Sequence, residues 1–246
     1  MAEFKIEIAG QVFAVRSLFE STRDYCRGYL TDKPENHLIT VSPKDLLFEQ
    51  AFLKEEALRE GIRVRVFTDP FLERAAIQRQ VAEHLIRCDT VLLHGSAVAV
   101  DGEGYLFTAR CGTGKSTHTR LWCQAFGQRA VMVNDDKPFV SITGSAVTMY
   151  GAPWSGKHGL DTNIAVPLKG ICILERGTEN RIRRITAEDA KSMLLQQSSP
   201  PLEATLLPRY CQLVDVLLAY TPLWRMECTK APEAALTSYI AMSQGF

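Results

Sequence analysis

The glycine, lysine and serine residues at positions 109–117 have a spacing that predicts a chemical role for this chain. These positions read Ala-Arg-Cys-Gly-Thr-Gly-Lys-Ser-Thr. Gly112 and Gly114 allow successive backbone N–H groups to turn toward one anion. Lys115 can reach the outer phosphates of a nucleotide, and the Ser116 hydroxyl suits Mg²⁺. We therefore predict a phosphate-binding loop (P-loop) for ATP and Mg²⁺. Its members are Cys111, Gly112, Thr113, Gly114, Lys115, Ser116 and Thr117.

The segments on either side of this loop support the prediction. Residues 104–108 have the pattern of a strand that enters the loop, and residues 116–126 that of a helix that leaves it. A helix that begins at the loop points the positive end of its dipole at bound phosphate. The usual motif starts with glycine where this chain has Ala109.

A pair of acidic residues follows the next buried strand. Residues 131–133 are apolar and are followed by Asn134, Asp135 and Asp136. A P-loop enzyme uses a carboxylate at such a strand end to hold Mg²⁺, and a second one can take a proton from an attacking hydroxyl. We predict that Asp135 and Asp136 are catalytic, and that they form a metal site with Ser116. The alternative is an Asp-Asp turn that only ends a strand.

Two further segments bear side chains suited to phosphoryl transfer. His94, in Leu-Leu-His-Gly-Ser-Ala, ends an apolar strand, and beside the Asp pair it could tune proton transfer near pH 7. The glycine-rich loop at residues 151–161 contains Trp154 and Lys157, and it could close over the phosphates and bring in a cation. The alternatives are a structural histidine and a surface loop. Arg176 is predicted to pair with a carboxylate at a turn rather than to face phosphate.

The composition limits the classes of function. The 246 residues include 28 basic and 28 acidic side chains, so no strong field is available to attract nucleic acid or an anionic membrane. Seven cysteines without a C-x-x-C pair indicate a reduced, cytoplasmic protein. We expect no signal peptide and no membrane span. A homo-oligomer is compatible with the sequence.

The order of predicted elements indicates an α/β fold. In an N-terminal α/β region, residues 1–89, we predict a hairpin at 4–15, a strand at 38–41, helices at 43–59 and 69–88, and a half-buried strand at 62–67. In residues 90–246 we predict strands at 91–94, 97–100, 105–108, 130–133, 139–142, 146–150, 170–174 and 223–228. The predicted helices of this region are 116–126, 186–197, 203–220 and 232–242.

The order of the three motifs resembles the HPr kinase/phosphorylase family and, more distantly, phosphoenolpyruvate carboxykinase. The resemblance covers about residues 90–180 and rests on His-Gly, the Gly-x-Gly-Lys-Ser loop and the Asp-Asp strand end. It implies a P-loop fold with a mixed β-sheet core and flanking helices. It also implies that Lys115 binds the β and γ phosphates and that His94 lies close to both carboxylates. We predict that Asp135 is the base and that Asp136 is a metal ligand or the partner of His94.

Three functions are compatible with these motifs. The first is a kinase that transfers the γ-phosphoryl group of ATP to a hydroxyl of a protein, peptide or small molecule. The second is a carboxykinase-like lyase, although the sequence shows no arginine cluster for an oxaloacetate-like acid. The third is a non-catalytic nucleotide-sensing module, because residues 149–154 lack the glutamate with which the family helps to hold metal.

Overall fold

The chain consists of two compact units in a computed structural model that describes residues 1–59, 61 and 63–244. The first unit is Met1–His84 and the second is Leu85–Phe246. The division lies slightly before the boundary at 89/90 that the sequence suggested. All candidate site residues belong to the second unit.

The first unit is built on a three-stranded sheet with helices. The sheet order is β1-β2-β3, with β1 and β2 antiparallel and β2 and β3 parallel. The hairpin turn uses Ala9 and Gly10, both at positive φ. Ser42 donates to the Asp45 carboxylate from its backbone N–H and its hydroxyl, and so fixes the start of the predicted helix at Pro43. The elements are β1 (Ala2–Ile8), β2 (Gln11–Ser17), α1 (Glu20–Tyr25), β3 (His37–Thr40), α2 (Pro43–Arg59) and α3 (Asp69–Ile86).

The strand predicted at residues 62–67 is wrong. Ile62 lies outside the described residues, and residues 63–67 form no regular element. Val66 is 92% exposed and Val64 is also exposed, so the apolar side of the pattern packs on nothing. Alternation of valine with arginine is a local signal, and it forms a strand only where a neighbouring strand and an apolar surface accept it.

The second unit contains a mixed sheet, with nine strands among the residues described. The main path is β4-β8-β9-β10-β6-β5-β7, and β12 pairs with β10 and β11. Strand β10 is parallel to β6 and β12 and antiparallel to β9. The strands are β4 (Thr90–Leu92), β5 (Ser96–Val100), β6 (Glu103–Thr108), β7 (Ala130–Asn134), β8 (Phe139–Thr143), β9 (Ala146–Tyr150), β10 (Ala165–Arg176), β11 (Arg181–Arg184) and β12 (Leu223–Cys228). The helices are α4 (Lys115–Phe126), α5 (Ala187–Gln196), α6 (Leu207–Tyr220) and α7 (Glu233–Ser243).

Alternate side chains of β10 enter two apolar clusters, as the period of two in a strand requires. Ile171 and Ile173 belong to a cluster that includes α5 and α6. Cys172 and Leu174 belong to a second cluster that includes Trp122 of α4 and residues of α7. A mixed sheet core with flanking helices, the expected architecture, is therefore present in this unit. Within the described residues, no helix has both the length and the apolar character needed to cross a membrane.

Most predicted boundaries in this unit are within a few residues of the observed ones. The helix predicted from residue 186 begins with a capping box: the Thr186 side chain accepts from the Asp189 backbone N–H, and the Asp189 carboxylate accepts from the Thr186 backbone N–H. Helix α6 begins at Leu207 rather than at residue 203, because a single 3₁₀ turn at Ala204–Leu206 precedes it.

Candidate active site

The glycine-rich turn joins β6 to α4 in the predicted strand–turn–helix arrangement. Gly112 has φ 76° and Gly114 has φ 123°, a region that L side chains rarely adopt. Helix α4 begins at Lys115, immediately after Gly114. Within this turn, Cys111 is exposed, Thr113 and Ser116 are half-buried, and Thr117 is exposed at the first turn of the helix.

Ala109 explains why the turn does not need the usual first glycine. Ala109 does not have a positive φ, so its backbone does not need glycine, and its side chain is fully buried. The Lys115 amine donates to the Ala109 carbonyl at 3.0 Å, and Lys115 is 8% exposed. The lysine predicted to bind phosphate is therefore held against the carbonyl of its own loop.

Asp135 is connected to the helix of the glycine-rich turn by hydroxyl groups. The Ser96 hydroxyl donates to Asp135 Oδ1 at 2.6 Å and lies 2.6 Å from Thr119 Oγ1. Ser96 and Thr119 are fully buried, and Asp135 is 6% exposed. This chain of contacts fixes one carboxylate oxygen of Asp135 at the start of α4.

Asp136 forms a pair with His94. The distance between His94 Nε2 and Asp136 Oδ1 is 3.3 Å, and both side chains are about one-third exposed. Burial lowers the pKa of His94, and the charges of Lys137 and Lys115 lower it further against the opposing effect of Asp136. Burial alone would raise the pKa of Asp136, but the His94 hydrogen bond and the nearby positive charges outweigh it and lower the pKa. At pH 7 a neutral imidazole therefore donates to an ionised carboxylate. Of the two carboxylates that the resemblance implied near His94, Asp136 is the one with which His94 pairs.

Asn134 shapes the turn that presents both carboxylates. Its side-chain oxygen accepts from the backbone N–H groups of Asp136 (2.8 Å) and Lys137 (2.6 Å). Its amide donates to the Ala152 carbonyl at 2.7 Å. Asn134 is fully buried, so a single side chain ties the Asp pair to the loop at residues 151–161.

The loop at residues 151–161 has a buried part and an exposed part. A Cβ at Gly151 would lie 1.9 Å from the Thr162 carbonyl oxygen, so this glycine permits close packing of the two segments. Trp154 is buried, with its ring centroid 6.4 Å from that of Phe139. The exposed part is a 3₁₀ turn, Gly156–His158, that carries Lys157. At Gly156 a Cβ would lie 3.2 Å from Asp136 Cβ, so this turn lies directly against the Asp136 side chain.

Arg176, at the end of β10, contacts the glycine-rich turn. Its guanidinium donates to the Gly112 carbonyl at 2.6 Å. The predicted pairing with a carboxylate is therefore replaced by a contact with the turn, because the parallel pairing of β6 and β10 brings their carboxyl ends together. A cavity of about 340 Å³ adjoins this contact, between the first turns of α4 and the ends of β10 and β12.

The sequence did not indicate Ser96, Thr119 and Asn134 as site residues. Ser96 follows the His94-Gly95 pair, and Asn134 directly precedes the Asp pair, so both lie next to motifs that were recognised. For Thr119, the only signal in the sequence was its position near the start of the helix that follows the glycine-rich turn. The described residues contain no group of three or more His, Cys, Asp or Glu side chains arranged to hold a metal ion.

The fold and site define the chain as a mixed α/β protein in which a glycine-rich strand–turn–helix is linked by hydrogen bonds to one of two adjacent carboxylates. No protein-family model matches the sequence. No curated protein matches it either. Among solved structures, it is similar to the Hpr(Ser) kinase/phosphatase from Coxiella burnetii, with 11% identity over 63% of this chain and 99% of that chain, at a TM-score of 0.37. Similarity at this level transfers no activity to the chain.

Proposed function

We propose that the chain is a kinase that uses Mg·ATP to phosphorylate a hydroxyl group. One observation supports this most: Ser96 and Thr119 connect the Asp135 carboxylate to the first turns of the helix that follows the glycine-rich turn. P-loop phosphoryl transfer needs a phosphate-binding helix start and a carboxylate at one place, and these contacts join the two.

The phosphates would lie on the backbone N–H groups of residues 112–117. Lys115 would exchange its bond to the Ala109 carbonyl for bonds to the outer phosphates. A carbonyl is a weaker partner for an ammonium group than phosphate is, so the exchange favours the bound state. Arg176, held at Gly112, adds positive charge to the same turn.

Mg²⁺ fits the donor set of Ser116 and Asp135. Mg²⁺ in such sites is held by one or two carboxylates together with phosphate oxygens and water, so a cluster of three acidic side chains is unnecessary. Asp135 has one oxygen fixed by Ser96 and the second available for a metal or its water. When bound, Mg²⁺ would neutralise charge on the transferring group.

Asp136 is the better placed of the two carboxylates to act as the base. The sequence favoured Asp135 in that role, but Asp135 is buried and engaged by Ser96, whereas Asp136 is partly exposed and paired with His94. The acceptor hydroxyl would give its proton to Asp136 as its oxygen bonds to the γ-phosphorus. The bond from that phosphorus to the bridging oxygen then breaks and ADP leaves. His94 would stabilise the orientation of Asp136 and share the proton that Asp136 takes up.

The Gly156–His158 turn would cover the site. It already touches Asp136 through Gly156, and Lys157 on the same turn is exposed. Closure would bring a cation to the transferring phosphoryl group and exclude water, which favours transfer to an alcohol over hydrolysis.

The test is the substitution Lys115→Ala, assayed for Mg·ATP affinity by calorimetry and for transfer of labelled γ-phosphate to acceptors in a cell extract. We expect a loss of about 2–4 kcal/mol of transition-state stabilisation, as for other groups that stabilise developing charge. The matched control is Lys191→Ala, because Lys191 is a partly exposed lysine of α5 that pairs with Asp215. ATP binding without transfer to any acceptor would favour the sensing module, and wild-type behaviour of Lys115→Ala would exclude the nucleotide site.

A further inference from the structure

Three strands lie at the outer edges of the sheet in the second unit, and they differ in what covers them. Beside β4, Leu93 forms an antiparallel bridge with Ser198. Beside β7, the Val133 carbonyl accepts from the Thr162 backbone N–H at 3.2 Å. Strand β11 pairs with β12 alone in the part of the chain that the structure describes. The outer edge of β11 therefore presents backbone groups that no other strand uses.

The backbone bonds of β12 show which of its residues face β11. The Leu223 carbonyl accepts from the backbone N–H of Ile185, which directly follows β11, at 3.0 Å. The Cys228 carbonyl accepts from the backbone N–H of Gly177, which directly follows β10, at 3.1 Å. Because backbone groups alternate along a strand, the odd-numbered residues of β12 face β11 and the even-numbered ones face β10.

The register then identifies the open groups of β11. Arg183 lies opposite Arg225, and Arg181 lies opposite another odd-numbered residue of β12. Arg181 and Arg183 therefore direct their backbone groups toward β12. Ile182 and Arg184 direct theirs outward, in the spacing with which a further antiparallel or parallel strand could pair. This is the geometry that β-strand addition requires.

The charge of β11 selects the kind of strand that could be added. Arg181, Arg183 and Arg184 are all exposed, and the strand contains no acidic residue. Arg184 lies over the Trp224 ring, and Arg181 pairs with Glu179 at the surface, where ion pairs contribute little. Arginines along an open edge repel a second copy of the same strand, and they attract an acidic one.

The position of β11 in the sheet places this edge near the candidate site. Arg181, the first residue of β11, is opposite Glu227 near the end of β12. Thr229 and Lys230 follow β12 and line the cavity beside the glycine-rich turn. A polypeptide bound along β11 would therefore have one end at the edge of the sheet that carries this turn.

We propose that the outer edge of β11 binds an extended acidic segment of a partner protein, which adds to the sheet as a further strand. The outward backbone groups of Ile182 and Arg184 would supply the hydrogen bonds, and the three arginines would select acidic side chains. Binding of this kind does not depend on the proposed kinase activity, so it can be measured without nucleotide.

The probes are two labelled peptides of about eight residues, a usual strand length. Both alternate threonine, which favours strands, with a charged residue, which is glutamate in one peptide and lysine in the other. Fluorescence anisotropy measures their affinity for the full chain. We expect the acidic peptide to bind about tenfold more tightly than the basic one. Its affinity should fall when the salt concentration is raised from about 50 to 300 mM, because screening weakens exposed charges.

The variants Ile182→Pro and Ile182→Ala form a matched pair. Both remove the isoleucine side chain, but only proline removes the outward N–H, and an edge strand tolerates proline at such a position. Ile182→Pro should bind the acidic peptide about tenfold more weakly than Ile182→Ala, as expected when backbone bonds supply the affinity. Arg183→Glu should reverse the preference between the two peptides. Thermal unfolding checks that each variant is folded, and Arg183→Glu keeps the test decisive if Ile182→Pro is not.

Three results would overturn the inference. The wild-type chain might bind neither peptide or both equally, in which case the edge does not select acidic strands. Equal binding of the acidic peptide by Ile182→Pro and Ile182→Ala, together with an unchanged preference in Arg183→Glu, would place the peptide elsewhere on the surface. Sedimentation of the wild-type chain as a dimer and of Ile182→Pro as a monomer would show that the edge joins two copies of this chain.

Discussion

Asp135 and Asp136 are neighbours in sequence, yet they lie in different surroundings. Asp135 is buried and accepts a hydrogen bond from Ser96, whereas Asp136 is partly exposed and accepts one from His94. Identical side chains acquire separate roles when their environments differ in this way. The difference arises because the backbone turn held by Asn134 points successive residues in different directions.

The substitutions Asp136→Asn and Asp135→Asn should therefore have different effects. Because the proposed base would act only in the transition state, Asp136→Asn should lower turnover by about 10²–10⁴ and leave Mg·ATP affinity nearly unchanged. Asp135→Asn should raise the Mg²⁺ concentration needed for half-maximal activity. Turnover measured across a Mg²⁺ titration distinguishes the two effects. Equal loss and equal Mg²⁺ dependence in both variants would contradict the division of roles.

His118 should make the stability of the chain depend on pH. Burial lowers its pKa to about 4, from 6.5 for the free side chain. The unfolded chain therefore binds a proton below about pH 6.5 that the folded chain does not bind until about pH 4, so this contribution to stability is complete above pH 6.5 and is lost on acidification. Between pH 7 and pH 5 the loss should be about 2 kcal/mol.

Chemical denaturation of the wild-type chain and of His118→Gln at both pH values measures this contribution. The glutamine cannot titrate, so its free energy of unfolding should fall by about 2 kcal/mol less over the same interval. Parallel pH profiles of the two proteins would show that His118 does not carry the effect.

The sequence indicated site residues where chemistry requires an uncommon residue type at a fixed spacing. Lys115 follows two glycines, and the Asp pair follows an apolar strand, so each is visible locally. Ser96 and Thr119 could not be found in this way, because hydroxyl residues are common and their contact joins β5 to α4 across the sheet. Arg176 was misjudged for the same reason: its partner, Gly112, is brought near only by pairing of β6 with β10.

At the scale of elements, the loop at residues 151–161 combines a buried segment with an exposed turn. Two of its glycines, Gly156 (φ 70°) and Gly159 (φ 58°), have left-handed backbone conformations. They differ in their surroundings. A Cβ at Gly156 would press on Asp136, whereas a Cβ at Gly159 would meet nothing within 4 Å.

This difference provides a matched pair of substitutions. Gly156→Ala and Gly159→Ala should both lose stability, by roughly 1–2 kcal/mol each, because alanine is strained in the left-handed region. Only Gly156→Ala should also displace Asp136, and its transfer rate should fall at least tenfold more than that of Gly159→Ala. Thermal unfolding and transfer assays measure the two effects separately. Equal transfer rates would mean that this turn does not act on the carboxylate.

Helices and strands were predictable where the apolar pattern and the turn residues of the sequence indicated the same element. The strands predicted at 139–142 and 146–150 form the β8–β9 hairpin, and the helix predicted from residue 186 has its capping box there. The strand prediction failed at residues 63–67 because their alternating valine and arginine residues had no sheet edge to join. The length of β10, which reaches from Ala165 to Arg176, was underestimated because its first half pairs with β9 and its second half with β6 and β12.

At the scale of the whole molecule, all residues of the candidate site lie in the second unit. Hydrogen exchange of the full chain, followed by mass spectrometry of its peptides, should therefore show protection by Mg·ATP in residues 109–119, 134–137 and 151–161. Peptides of residues 1–84 should exchange at the same rate with and without nucleotide. Protection confined to the first unit would contradict the assignment of the site.

The pairing of β6 with β10 also determines when the site can form. Strand β6 ends at Thr108, whose partner on β10 is Ile173, and Arg176 at the end of β10 is in turn paired with Cys228 of β12. Such non-local pairings lose chain entropy on loop closure before their contacts form, and they therefore slow folding. The hairpin of β5 and β6 can form early, but its glycine-rich turn gains Arg176 only when β10 docks. We therefore expect the glycine-rich turn to be completed late in folding, when β10 joins the sheet.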